Sequence, residues 1–580
     1  MRNLFIFSLL TLCIFIDASP VFRTRLNIKQ SDGTTLNIIR TGNRQLSYFQ
    51  TLDSIAVIEN EDGDYCYALI DDDMNLSPSK IIAHDLDNRI SIESKIAEKY
   101  KTNFYNKVKE IFKHRISRLT VGSKEKAVVP VIGNVNIPIV LVEFTDKNFL
   151  SENDSVAFDK HFNASNYQNE NHRGSVRDYF IAQSDSLFCP HFDIVGKVKV
   201  SHETAYYGKN RSGDDQNLPG LFSEVLDLLD KKGVDFSVYA NKDKIVPFIG
   251  LIYAGTGEQS SGIANDIWAL FHPTLIKTLS NGIKVTSCLY VNELADYYRK
   301  GTPTLDGIGI FCHEFSHAMG LPDFYPTNGI KGVFGMDVWD LMDYGHFNNL
   351  AQRPMCYSAY EREFMEWIKI PELKETSEKI LLKSLYNVNP QRAYKIYNNH
   401  NINEYYILEY RTASDWYLSN TLGTGMLITH VDYDRSAWIS NSINNIKEHP
   451  RMTIIPADGV LTPQSSNTDT YKGDLYPGLT NNTELSHTTT PRDDVYIGSN
   501  MGIALKNIRK EGNDIVFQFI KDGNYPKGDI NKDYVTDSND IKVIYDYLLN
   551  KTKDYNLKDV DINNDGKSNT EDIITLYNII

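Results

Sequence analysis

The stretch GIGIFCHEFSHAMGLPDFY, residues 307–325, leaves the chain little freedom. Ile308, Phe311, Cys312, Phe315 and Met319 recur at three- and four-residue spacing, the mark of a helix with a buried stripe. His313 and His317 fall one turn apart on another face, so both rings reach a common point. Gly320 suits the left-handed residue that ends a helix, and Pro322 forbids its continuation. The chain therefore turns, which can carry Asp323 back toward the two histidines.

The spacing H-E-x-x-H-x-x-G-x-x-D is that of a zinc centre in which two neutral imidazoles and one carboxylate bind the ion. Three protein ligands leave the fourth position to water, whereas a purely structural zinc fills all four. Glu314, beside His313, is placed to take a proton from that water and pass it to a leaving amine, which predicts peptide-bond hydrolysis. His346 and Asp337 remain rivals to Asp323 as third ligand. WDLMDYG follows, with Met342 as the candidate methionine turn beneath the metal and Tyr344 as a candidate oxyanion donor.

The remaining text divides around this site. Residues 1–19 carry Arg2, a thirteen-residue apolar run from Leu4 to Ile16 and small residues at Ala18 and Ser19, the pattern of a secretory signal. That run is shorter than the roughly twenty residues a membrane span needs. Residues 20–125 are polar and mixed, residues 126–365 an α+β domain around the motif, and residues 366–521 a succession of short β runs expected to form a β-sandwich-like accessory domain. The basic HRISRL and SKEK before residue 127 mark an exposed junction. A net charge of −15 with no basic block speaks against nucleic acid as a partner. Beyond Cys13, the five cysteines are Cys66, Cys189, Cys288, Cys312 and Cys356, an odd count that leaves at least one thiol unpaired within the chain and its pairing unspecified.

HEFSHAMGLPDFY with WDLMDYG, supported by VLVEFTD, GSVRDYF and GMLITHVDYD, resembles the immune inhibitor A family of secreted metallopeptidases over roughly residues 20–500. The resemblance implies a metzincin-like zinc endopeptidase acting on protein substrates, exported as a zymogen with residues 20–125 as prosegment. His313, Glu314, His317, Asp323 and Met342 match the family motif position by position. Latency requires the open zinc position to be covered; Cys66 as a thiolate and the acidic residues at 53, 62, 64 and 71–73 are the options, set against Cys66 as a small buried hydrophobe in a strand.

The last segment, 526–580, repeats itself. GDINKDYVTDSND and VDINNDGKSNTED place Asp529 and Asp561 32 residues apart, and each follows the calcium loop with oxygens at positions 1, 3, 5, 7, 9 and 12. The first loop offers Asp529, Asn531, Asp533, the carbonyl of Val535, Asp537 and Asp540; the second offers Asp561, Asn563, Asp565, the carbonyl of Lys567, Asn569 and Asp572. Position six is Gly566 in the second loop but Tyr534 in the first, where the sharp turn favours glycine, so the first is expected to bind Ca2+ more weakly. The pair resembles a type I dockerin, a small α calcium-loop module, which implies a cohesin domain of a scaffold protein as partner and an extracellular or surface-associated setting. The rival expectation is a catalytically inactive adhesion protein that retains its zinc site. An intact Glu314 speaks against it.

Overall fold

The computed structural model describes residues 20–43, 46–71, 75–113, 123, 126–168, 172–211, 214–298, 300–330, 332–414, 416–463, 465, 468–498, 500–521, 528–531, 536–552, 555–563 and 565–580. The signal segment 1–19, the basic run 114–119 and the calcium-loop residues Asp533, Tyr534 and Val535 lie outside the described residues. Two units emerge. The first comprises residues up to Ile368 together with Asp415–Tyr417 and Tyr433–Met452, and the second holds the rest.

The N-terminal part of the first unit is an antiparallel meander of six strands in sequence order, from Arg25–Lys29 to Leu76–Ile82. Short turns explain that order, because neighbours joined by tight connections pair with each other. The helix Ser91–Lys113 lies against the sheet through Ala97, Phe104 and Val108, which meet Tyr48, Tyr67 and Ala68.

The chain then enters a mixed sheet whose main path runs Leu270–His272, Cys288–Ala295, Ile249–Thr256, Gly133–Glu143 and Phe188–Lys199. The last four are mutually parallel, while Leu270–His272 pairs antiparallel with Cys288–Ala295 at the edge. Parallel strands are covered on both faces, which is why IPIVLV reads as an unbroken apolar run rather than an alternation, and why Ile139 to Val142 are fully buried. The fold class is multidomain α+β, as expected.

The motif helix is Gly309–Ala318, and all ten of its residues are buried, not only the predicted stripe. Phe311 and Phe315 stack together and pack edge-on against Phe192, with Phe162, Phe180 and Phe248 around them. The histidine face is also covered by protein.

In the second unit, Ala393–Asn398, Asn401–Arg411 and Gly425–Asp432 pair antiparallel within a four-stranded sheet, and Ser377–Leu382, Asp514–Lys521 and Ile503–Glu511 form a three-stranded one. The tail folds as helices Ser538–Leu548 and Thr570–Tyr577 around Ile530, Ile544, Val560, Ile562 and Leu576. Tyr433–Met452, inside the predicted β region, groups with the first unit.

Candidate metal centre

The helix Gly309–Ala318 ends as its sequence demands. Gly320 has φ +104°, and the N–H of Leu321 returns to Ser316 O at 3.0 Å, closing the last turn. The loop that follows carries Asp323 to the histidines. Its Oδ1 lies 3.2 Å from Nε2 of His313 and 3.2 Å from Nε2 of His317, with all three side chains fully buried.

Each ligand is aimed by a bond on its far side. His313 Nδ1 donates to Leu341 O and His317 Nδ1 to Leu321 O, both at 2.8 Å. A carbonyl only accepts, so the proton of each ring sits on Nδ1 and each Nε2 presents a lone pair to the centre. Asn441 holds Asp323 twice: its Oδ1 accepts the Asp323 N–H at 2.7 Å and its Nδ2 donates to Asp323 Oδ2 at 2.6 Å, leaving Oδ1 facing the histidines. The same asparagine-rich segment ties down the loop again through Asn444 Nδ2 to Phe324 O, at 2.6 Å.

The fit to a metal rests on the atoms left over. Nε2 of His313, Nε2 of His317 and Oδ1 of Asp323 are buried, and the Asp323 oxygen faces each ring nitrogen at 3.2 Å without a well-formed hydrogen bond, an arrangement that a shared cation would complete. These residues form the one group with metal-ligand geometry among the described residues. Two imidazoles and a carboxylate suit zinc. Burial opposes charge on His317, but Asp323 outweighs it and lifts the ring to about 9 in the metal-free protein. Asp323 itself, disfavoured as an anion by burial, is held well below the usual carboxylate range by His317 and His313.

The surrounding groups complete the site. Glu314 Oε2 accepts the N–H of Phe271 at 3.0 Å, which ties the candidate base to the edge strand Leu270–His272. Met342 is fully buried; its N–H is taken by Asp340 and its carbonyl receives the Phe324 N–H at 2.8 Å, while the preceding carbonyl, Leu341 O, holds His313. The turn thus braces both arms of the ligand set through its backbone. Tyr344 is engaged elsewhere: its hydroxyl accepts the N–H of Arg23 at 2.9 Å.

Of the rival third ligands, Asp337 pairs with Arg23. His346 stands beside His313 with ring centroids 4.4 Å apart, donates from Nδ1 to Asp343 O at 2.6 Å, and keeps a buried Nε2 without a partner. Burial and the neighbouring His313 keep it neutral. Cys66 is a buried residue of the strand Tyr65–Ile70 whose sulfur meets Asn60, and Asp53, Asp64 and Asp71 bond to Arg89, Ser31 and Asn75 of the same meander region. Asn441 carries no signal in the sequence, because nothing in SNSINN distinguishes a ligand clamp from a polar loop. The five described cysteines are free thiols.

In the tail the two loops share one bonding scheme. Asp540 accepts the N–H groups of Ile530, Asn531 and Asp537, and Asp572 those of Ile562, Asn563 and Asn569. In the second loop Asp561 also gathers the N–H of Asp565 and of Gly566, and Gly566 turns at φ +82°.

Residues 132–369 match the family described as immune inhibitor A peptidase M6, catalytic domain. The pre-pro-metalloprotease PrtV of Vibrio cholerae serotype O1 is 22% identical over 340 residues, covering 49% of this chain and 36% of that protein. Immune inhibitor A of Bacillus thuringiensis subsp. alesti is 20% identical over 301 residues, 44% of each. The chain thus aligns with less than half the length of these relatives.

Proposed function

We propose that the M6-like domain makes this chain a secreted zinc endopeptidase. The observation that carries it is the convergence of three buried ligand atoms on one point, with Glu314 next to His313 on the same helix. His313, His317 and Asp323 would hold the ion, and Asn441, Leu341 and Leu321 keep their lone pairs turned inward. Bound zinc would polarise the scissile carbonyl and acidify a water. Glu314 takes the proton at its carboxylate and returns it to the leaving nitrogen, a transfer typically worth 10²–10⁴-fold. Its bond to Phe271 N–H sets the base next to a strand edge, where an extended peptide can lie.

The tail is, in this proposal, a dockerin: two Ca2+ loops order the helices that bind a cohesin domain, tethering the enzyme to a scaffold or surface outside the cell. No helix of the described residues is long and apolar enough to cross a membrane.

The test is casein hydrolysis by the zinc-loaded protein alongside Glu314→Gln. The variant is expected to keep its zinc and lose at least about a hundredfold in rate. Equal turnover by the two proteins defeats the proposal.

A further inference from the structure

The first described residues of the chain, Pro20 to Arg25, do more than start a strand. Val21 and Thr24 are buried. Phe22 N–H donates to Gln259 O at 3.1 Å, Arg23 N–H to the Tyr344 hydroxyl at 2.9 Å, and Thr24 Oγ1 to Tyr297 O at 2.5 Å. Every one of these acceptors belongs to residues beyond 250. The meander steadies the segment from behind, through Arg40 N–H to Thr24 O, and Arg40 itself reaches Glu258 O and Gln259 O.

Two side chains fill distinct places. Phe22 enters an aromatic nest, with ring centroids 4.5 Å from Tyr297 and 5.3 Å from Phe347. Arg23 lays its guanidinium 3.8 Å above the ring of Tyr344 and brings one nitrogen to 3.3 Å from Asp337 Oδ1. The face of an aromatic ring and a buried carboxylate together recognise a cation, and a planar guanidinium satisfies both at once. Asp337 is only 3% exposed and sits at φ +46°, a conformation that L-residues rarely adopt. Asp343 fixes it there by accepting the N–H of Met336 and of Asp337 on Oδ2. A rigid backbone therefore presents the carboxylate.

The position matters as much as the chemistry. Asp337 and Tyr344 belong to the loop that contains Leu341, the acceptor for His313, and Met342. Asp337 is a buried acid whose charge Arg23 offsets across 314 positions of sequence, and Arg23 lies in the segment that leaves if the protein is processed near residue 125. Losing Arg23 takes its guanidinium away from the Asp337 carboxylate and the Tyr344 ring, in the loop that also braces His313, and a carboxylate with an aromatic face favours another cation.

We propose that Asp337 and Tyr344 form a subsite for a basic side chain of the peptide substrate, arginine ahead of lysine, with the Phe22 nest receiving an aromatic or large apolar neighbour. Phe22-Arg23 occupies this subsite in the full chain as a substrate-like dipeptide. The proposal rests on the peptidase reading and adds to it the class of side chain the enzyme selects and the identity of the residues that fill its cleft beforehand.

Two measurements test it. In the zinc-loaded full-length chain, Arg23→Gln removes the guanidinium while keeping a shorter, neutral polar side chain. N-acetylarginine amide is expected to raise the melting temperature of Arg23→Gln but not of Arg23→Gln/Asp337→Asn, and the neutral N-acetylcitrulline amide to do neither. Asn tolerates the left-handed backbone at 337, so the pair isolates the charge. Equal stabilisation by the citrulline compound, or by the arginine compound in the double variant, overturns the subsite. The second measurement uses quenched peptides that differ by Arg or Gln at one position, cut by the purified wild type and by Asp337→Asn after each has undergone its own processing. A preference for Arg of at least about tenfold is expected at one position, falling toward parity in Asp337→Asn. Cleavage without any such preference overturns the proposal and leaves the peptidase standing. If nothing is cleaved, the peptidase reading falls, and the melting experiment alone decides whether the pocket takes a guanidinium.

Discussion

At the scale of single residues, the metal centre depends on which side of each ligand is satisfied. Asn441 occupies both polar edges of Asp323 that face away from the histidines. Asn441→Leu is expected to lower zinc affinity about 10- to 100-fold, as the loss of an outer hydrogen-bond partner commonly does, measured by competition with a chromophoric chelator. Protons compete for the same atoms. In the metal-free protein His317 is raised to about 9, so its stabilising pairing with Asp323 is complete below the ordinary value of 6.5 and is lost as pH rises through about 9. Zinc needs the neutral ring, so zinc affinity is expected to fall about tenfold per unit as pH drops below about 9; a pH-independent binding constant would contradict this. Sequence spacing sufficed to bring His313, His317 and Asp323 to one point, because a helix and its terminating glycine convert spacing into geometry. Asn441 and His346 were not legible that way. Asn441 lies 118 positions from its partner, and His346 reaches His313 through a loop whose path no periodicity encodes.

At the scale of elements, the helix Gly309–Ala318 shows why amphipathic pattern understates burial. The predicted stripe is real, yet the opposite face is also covered because the loop of Asp323 and the turn at Leu341 and Met342 close over it. The helix end is the weak point for substitution. Gly320→Ala forces an L-residue to φ +104° and sets a Cβ about 3.1 Å from Ser123 O, so a loss of about 1–3 kcal/mol is expected in urea unfolding. In the tail, the repetition is readable from sequence, while the shared use of Asp540 and Asp572 as backbone clamps became visible only in the structure. Ca2+ is expected to raise the melting temperature of the wild-type protein's C-terminal transition, and Asp572→Ala to abolish most of that shift by freeing the N–H groups of Ile562, Asn563 and Asn569. A calcium-independent transition in calorimetry would count against ligation there.

At the scale of the whole molecule, composition and turn signals suggest five consecutive segments, and the contacts group the chain into two units. Tyr433–Met452 groups with the first unit because it serves the loop of Asp323 while its flanking strands build another sheet, and short β runs look alike whichever core they join. Truncation after residue 521 is therefore expected to preserve zinc content and casein hydrolysis, whereas truncation after residue 368 removes Asn441 and is expected to reduce both. Arg23 and Tyr344, 321 positions apart, make the same point from the other end of the chain. The clamp on Asp323 also has a consequence in time. A ribosome completes the motif His313 to Asp323 well before it adds Asn441, so a growing or prematurely terminated chain holds the recognisable signature of a protease without the part that sets its third ligand. The Asp323 carboxylate thus comes under its final constraint only after more than three quarters of the polypeptide has been synthesised.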